Sequence, residues 1–218
     1  MDGILNFFEE NILPLITASI AIIAIFQTSL QIKISNKQFL FKKRVEKYTL
    51  ANSLICLYED NKSLLDYSDS KDNEPIIVDF QFENLTNIMY LKDITEIIYD
   101  VKNNNKKVKF LLKLEELRNL ANEIKFLFKG KSGELLSQYI HNYHDLLLEL
   151  YKYQVLLNLM KDNRISGNDN ITYEELQKEF GESKYRNRLY NVISKLKNSY
   201  DELSKNEIIP KVEKEIEL

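Results

Sequence analysis

The chain has 218 residues, of which 44% are hydrophobic and 29% charged, with five Gly, three Pro, one Cys and no Trp. That length supports one or two compact units, and the composition excludes collagen-like, Pro-rich and loop-dominated chains. The lone Cys56 excludes an internal disulfide framework and a thiolate-caged zinc site, and a net charge of −3 points to no nucleic-acid partner.

From Asn11 to Ile32 the sequence runs NILPLITASIAIIAIFQTSLQI, with no ionisable side chain. As an α-helix, residues 12–32 would be about 31 Å long, which matches the hydrocarbon thickness of a bilayer. Pro14 falls in the first turn, where its missing N–H costs little. A cleaved signal peptide needs a basic head and a small-residue cleavage site. Here the head carries Asp2, Glu9 and Glu10, and Gln31-Ile32-Lys33 closes the run. The reading is a retained transmembrane helix over 12–32, preceded by an extracytoplasmic tail over 1–11.

The tail has three acids and no Lys or Arg, whereas Lys33, Lys37, Lys42, Lys43, Arg44 and Lys47 come after the span against the single acid Glu46. The positive-inside rule then puts the N-terminus outside and the C-terminus in the cytoplasm. The six bases suit anionic lipid headgroups, at about 1 kcal/mol each near the surface. A lone thiol fits a reducing cytosol.

Within the span, Pro14, Thr17, Ala21, Ala24, Thr28, Gln31, Ser35 and Gln38 recur at alternating steps of three and four. This repeat of about 3.5 draws one seam along a helix. Thr17–Ala21 and Ala24–Thr28 are small-xxx-small pairs, which let helix backbones approach closely in lipid. The other faces carry Ile16, Ile20, Ile22, Ile23, Ile25, Phe26 and Leu30. Thr17, Ala21, Ala24, Thr28, Gln31 and Ser35 are therefore the candidate oligomer or pore-lining seam.

Helical spacing continues through Phe41, Val45, Tyr48, Leu50, Leu54, Leu57 and Leu64, so a juxtamembrane helix is expected over 33–67, with a polar loop at 68–75. Residues 76–82 alternate Ile76, Val78, Phe80 and Phe82, a strand-like pattern with no partner strand, and read as an extended lead-in. From Glu83, Leu85, Ile88, Met89, Ile94, Ile97, Ile98 and Val101 give helical spacing that Lys102–Lys107 breaks. A helix is expected from about Val108 to Lys129 with Gly130 at C′, then one capped by Ser132 from Gly133 to about Asn163. Thr172 and Glu175 form a capping box for a short helix that Gly181 ends, and Ser183 caps another from Lys184 to about Lys205. Pro210 and the C-terminal residues KVEKEIEL read as a frayed or docked tail. The fold class is all-α: a transmembrane helix, a long juxtamembrane helix, and a cytoplasmic bundle of about five or six helices over 76–218.

Chemistry-bearing constellations are sparse. His141 and His144 share one helix face near Asp145 and Glu149, but core or surface histidines account for them better than a metal. Asn163 to Glu175 has an EF-hand outline, yet Arg164 would stand at the first ligand position and Asp169 where the turn needs Gly. Cys56 comes after an apolar pair and reads as a packed thiol. Tyr185, Arg186, Arg188 and Tyr190 combine bases with aromatics and are a candidate ligand patch. No phosphate-loop, dinucleotide, nucleophile-elbow or zinc-protease motif occurs, so neither an enzyme nor a cofactor or metal is expected.

The segment from Lys37 to Tyr48, KQFLFKKRVEKY, lies directly after a single N-terminal span. It resembles the juxtamembrane stretch of small bacterial single-pass inner-membrane proteins, some of them phage-defence membrane effectors. The resemblance covers the span and this segment only and carries over no catalytic residue. It implies an inner-membrane location and a cytosolic sensing domain whose oligomeric spans disrupt the membrane. The expected partners are membrane lipid, further copies of the chain, and a cytosolic protein or small-molecule signal. The alternative expectation is a passive membrane anchor for a cytoplasmic protein-interaction or ligand-sensing domain.

Overall fold

The computed structural model describes residues 12–66, 77–165 and 172–217. The tail at 1–11, the loop at 68–75 and Asp169 lie outside these. Every described element is helical, and no strand occurs among the described residues. In chain order they are α1 (Leu13–Asp66), α2 (Val78–Thr86), a 3-10 helix (Lys92–Ile98), α3 (Asn104–Leu127), α4 (Gly130–Ile165), α5 (Tyr173–Phe180), α6 (Glu182–Lys205) and α7 (Ile208–Glu217). The chain divides between Lys43 and Arg44 into two compact units.

The first unit holds the apolar stretch of α1. This is one helix long and apolar enough to cross a membrane, and none of its most apolar window is buried. Every residue from Pro14 to Lys42 is exposed, including Ile25 and Phe26, the latter at 72%.

The second unit is built on α4, a 36-residue helix that packs against α2, α3, α5, α6 and α7. Tyr139, Ile140, Tyr143, Leu146, Leu147 and Leu150 recur every three to four residues and are fully buried. This stripe is the core-facing side of an amphipathic helix. Buried tyrosines need partners for their hydroxyls. Tyr139 donates to the Leu54 carbonyl of α1 at 3.1 Å and Tyr143 to the Leu85 carbonyl of α2 at 2.7 Å. The second bond satisfies a carbonyl at a helix C-terminus, one of the groups that helix geometry leaves unpaired.

Several boundaries differ from expectation, each for a local reason. Residues 78–86 are helical, not extended. Val78, Phe82, Leu85 and Thr86 share the buried face, whereas Phe80, which alternates with Val78 and Phe82 in the expected lead-in, is exposed. The 3-10 helix replaces an expected α-helical stretch. Leu91, Ile94 and Ile97 stand three apart and are all buried, which three residues per turn places on one face. The α3 helix starts before Val108 because the Asn103 side chain accepts from the Lys106 N–H at 3.1 Å and caps it.

Gly130 is the first residue of α4, not the C′ residue of α3, and Ser132 lies buried inside α4 rather than capping it. Phe128 turns into the core in extended conformation and ends α3 at Leu127. The capping box and Gly181 are as expected: Thr172 and Glu175 exchange both hydrogen bonds, and Gly181 sits at φ 63°. That left-handed residue also opens α6, so the helix begins at Glu182 and Ser183 does not cap it. The tail is a docked helix with Ile208 and Val212 buried.

Candidate functional site

The seam residues Thr17, Ala21, Ala24, Thr28, Gln31 and Ser35 are all exposed on α1. The Thr28 hydroxyl donates to the Ala24 carbonyl at 2.8 Å, within its own helix. Its proton is therefore committed, and only its oxygen lone pairs remain for a neighbouring helix. Ser19, off the seam, bonds back to Leu15 in the same way. The Gln31 amide is the strongest side-chain donor that the seam offers to a second copy.

The six expected headgroup bases fall into two groups. Lys33, Lys37 and Lys42 are exposed and Lys43 is half-buried. Arg44 and Lys47 are instead engaged by the second unit. Arg44 Nε donates to the Leu127 carbonyl at 3.0 Å, and Nη1 to the Glu215 carbonyl at 2.8 Å. Both acceptors stand at helix C-termini, those of α3 and α7. A guanidinium there satisfies orphan carbonyls and meets the negative ends of two helix dipoles.

Beside it the Lys47 ammonium lies 2.8 Å from Glu123 and 3.3 Å from Glu46, and the hydrogen bond to Glu123 holds its pKa above the ordinary lysine value. Tyr48 donates to Glu213 at 2.7 Å, and the Lys129 N–H donates to the Glu215 carboxylate at 3.0 Å. Burial, then the bond to Glu213, pushes the Tyr48 phenol well up. These contacts tie the start of the second unit to α3 and to the C-terminal helix. This clamp was not anticipated from sequence. Its one visible signal was an arginine among lysines, the residue suited to forked recognition of two acceptors.

Tyr185, Arg186, Arg188 and Tyr190 do not form one patch. Arg186 pairs with Glu182 through Nε and Nη2, both at 2.8 Å, and the Tyr153 hydroxyl donates to the same carboxylate oxygen. Glu182 is only 2% exposed, so Arg186 balances a buried charge. Tyr185 is half-buried against the core, and Tyr190 is half-buried as well. Arg188 lies 5.9 Å from the centre of the Tyr185 ring and faces a groove of about 490 Å³ between α4 and α6, lined also by Glu149, Lys152, Asn191 and Lys195.

His144 is buried, with Nδ1 2.8 Å from Asp145 Oδ1, and His141 is half-buried. Burial, and then the neighbouring His144, lower the His141 pKa. Among the described residues no three His, Cys, Asp or Glu side chains gather as a metal site would require. Glu175 is committed to its capping box, accepting from the Thr172 N–H at 2.9 Å. Arg164 is exposed. Cys56 is exposed rather than packed, because Leu54, Ile55, Leu57 and Tyr58 take the buried face of α1.

No protein-family model, curated protein or solved structure matches this chain.

Proposed function

We propose that this chain is a single-pass protein of the bacterial inner membrane, N-terminus outside and C-terminus cytoplasmic, that self-associates along the Thr17–Gln31 seam. Its helical domain controls a pore-forming or membrane-disrupting assembly of the kind used in phage defence, and it carries no catalysis of its own. The observation that supports this best is the helix from Pro14 to Lys42, exposed throughout with Ile20, Ile23, Phe26 and Leu30 outward. In water such a surface drives aggregation, while in lipid it is at home. The small residues on one edge and the Gln31 amide suit close contact between copies. Orientation rests on Lys33, Lys37, Lys42 and Lys43 at the C-terminal end of the span.

Two measurements test the reading. The purified protein in dye-loaded vesicles is expected to release dye, alone or on addition of extract from phage-infected cells; intact vesicles under every condition remove the pore. Replacing Ala24 and Thr28 by Leu is expected to abolish crosslinked oligomers, since larger side chains hold the backbones apart, and unchanged oligomers refute the seam.

The Thr28 hydroxyl, spent on its own helix, favours a second reading: a passive anchor for an interaction or ligand-sensing domain. An unrelated span would then substitute without loss of function, which the pore reading forbids.

A further inference from the structure

We infer that Phe39, Leu40 and Phe41 are a second lipid-contacting element, seated in the cytoplasmic headgroup layer, so that apolar contact with the membrane extends to Phe41 instead of ending near Ile32. The inference rests on the membrane-spanning reading of α1. It adds a depth and an occupant for residues that this reading leaves in water.

Phe39, Leu40 and Phe41 are exposed at 61%, 45% and 51%. Consecutive residues on an α-helix point about 100° apart, so these three cover more than half of its circumference. A partner helix or groove covers one stripe of a helix. Only a surrounding medium covers three faces at once, and the apolar medium available to this helix is lipid. The flanking charges agree. Lys37 and Lys42 are exposed on either side of the triplet, and no acid stands between Pro14 and Lys43. Basic residues interleaved with aromatics are the composition that anionic headgroups attract.

The lengths also fit. The apolar stretch allows a register two residues further along than 12–32: Leu15 to Ile34 is also about 30 Å of helix, one hydrocarbon thickness, with the Lys33 ammonium snorkelling along its apolar stem to the polar layer. Phe39 to Phe41 then lie about 7–10 Å further along the axis, and the headgroup layer is about 5–8 Å deep on each side. Two effects close the difference. Helical side chains lean toward the helix N-terminus, which here aims both rings back at the bilayer. A tilt of about 20° shortens the depth again.

The chain has no Trp, so a single introduced one reports unambiguously. In the full-length protein, Phe41→Trp, Phe39→Trp and Phe26→Trp are compared in vesicles of phosphatidylcholine with phosphatidylglycerol. Lipids brominated near the glycerol end of the chain, or near its tail, serve as quenchers. Trp at 41 and at 39 is expected to lose emission with the shallow quencher and little with the deep one, and Trp at 26 the reverse. If Trp at 26 is quenched while Trp at both 39 and 41 stays water-like, the inference fails and the span stands. Blue-shifted emission at 39 and 41 that neither quencher reduces means a protein contact covers them, and also overturns it. Loss of quenching at all three positions removes the spanning reading and this inference with it.

Discussion

Arg44 makes two charge-assisted hydrogen bonds to backbone carbonyls that come from helices far apart in sequence. Lysine has the charge but not the fork, so one ammonium cannot satisfy both acceptors in the same geometry. Arg44→Lys is expected to destabilise the second unit by about 1.5–3 kcal/mol, the usual worth of hydrogen bonds to a charged group. Thermal unfolding followed by circular dichroism in detergent reads the change; a melting temperature equal to that of the unaltered chain refutes the clamp. In a charge count Arg44 is indistinguishable from its lysine neighbours, and its acceptors are main-chain atoms without side-chain identity. Beyond the choice of arginine over lysine, the clamp was therefore illegible. Glu182 was hidden in the same way: the expected Ser183 cap left it outside the helix, while its buried carboxylate is paired with Tyr153 from another helix.

At the scale of elements, local chemistry was readable where several signals coincide, and misjudged where one residue carried it: Asn103 caps α3 unforeseen, and Ser183 does not cap α6. The Thr172–Glu175 box and Gly181 are closed local motifs, and they were found at their expected positions. The α3–α4 turn was not, because it depends on Phe128 entering the core and on a close backbone approach. A Cβ on Gly133 would stand 2.4 Å from the Phe128 carbonyl oxygen and 3.2 Å from that of Lys125. These are backbone atoms that cannot rotate away. Gly133→Ala is therefore expected to cost about 3 kcal/mol, at the upper end of overpacking. Thr172→Ala should cost about 1 kcal/mol, the worth of a helix cap. Chemical denaturation of the two variants side by side checks the order; equal midpoints contradict it.

For the whole molecule, two groups among the described residues contribute acid sensitivity through shifted pKa values. The folded state prefers neutral His141, because burial first and His144 second lower its pKa below the ordinary 6.5. Arg118 and Lys125 push the same way and Asp145 opposes them. Its contribution is complete above about pH 6.5 and is lost as pH falls below that through the lower folded value. Glu175 is held below the ordinary 4.5 by the Thr172 backbone N–H and then its hydroxyl, so the cap adds a second loss at lower pH, as its carboxylate becomes protonated. Stability measured from pH 7 to pH 4 should fall, and His141→Gln should flatten the part of the fall that begins near pH 6.5. An identical profile in the variant contradicts the assignment.

By itself the sequence determined the all-helical class, the long apolar N-terminal helix, and the boundaries set by the Thr172–Glu175 box and Gly181. Apolar run length, helical periodicity and cap chemistry are short-range properties, written in neighbouring residues. Only the tertiary structure decided that 78–86 is helical, that the Leu91–Ile97 stretch tightens to three residues per turn, that Arg44 serves two backbone carbonyls, and that the Glu182 carboxylate is buried and paired with Tyr153 of another helix. In each case the deciding free energy is burial or hydrogen bonding against a helix distant in sequence, which no window along the chain contains.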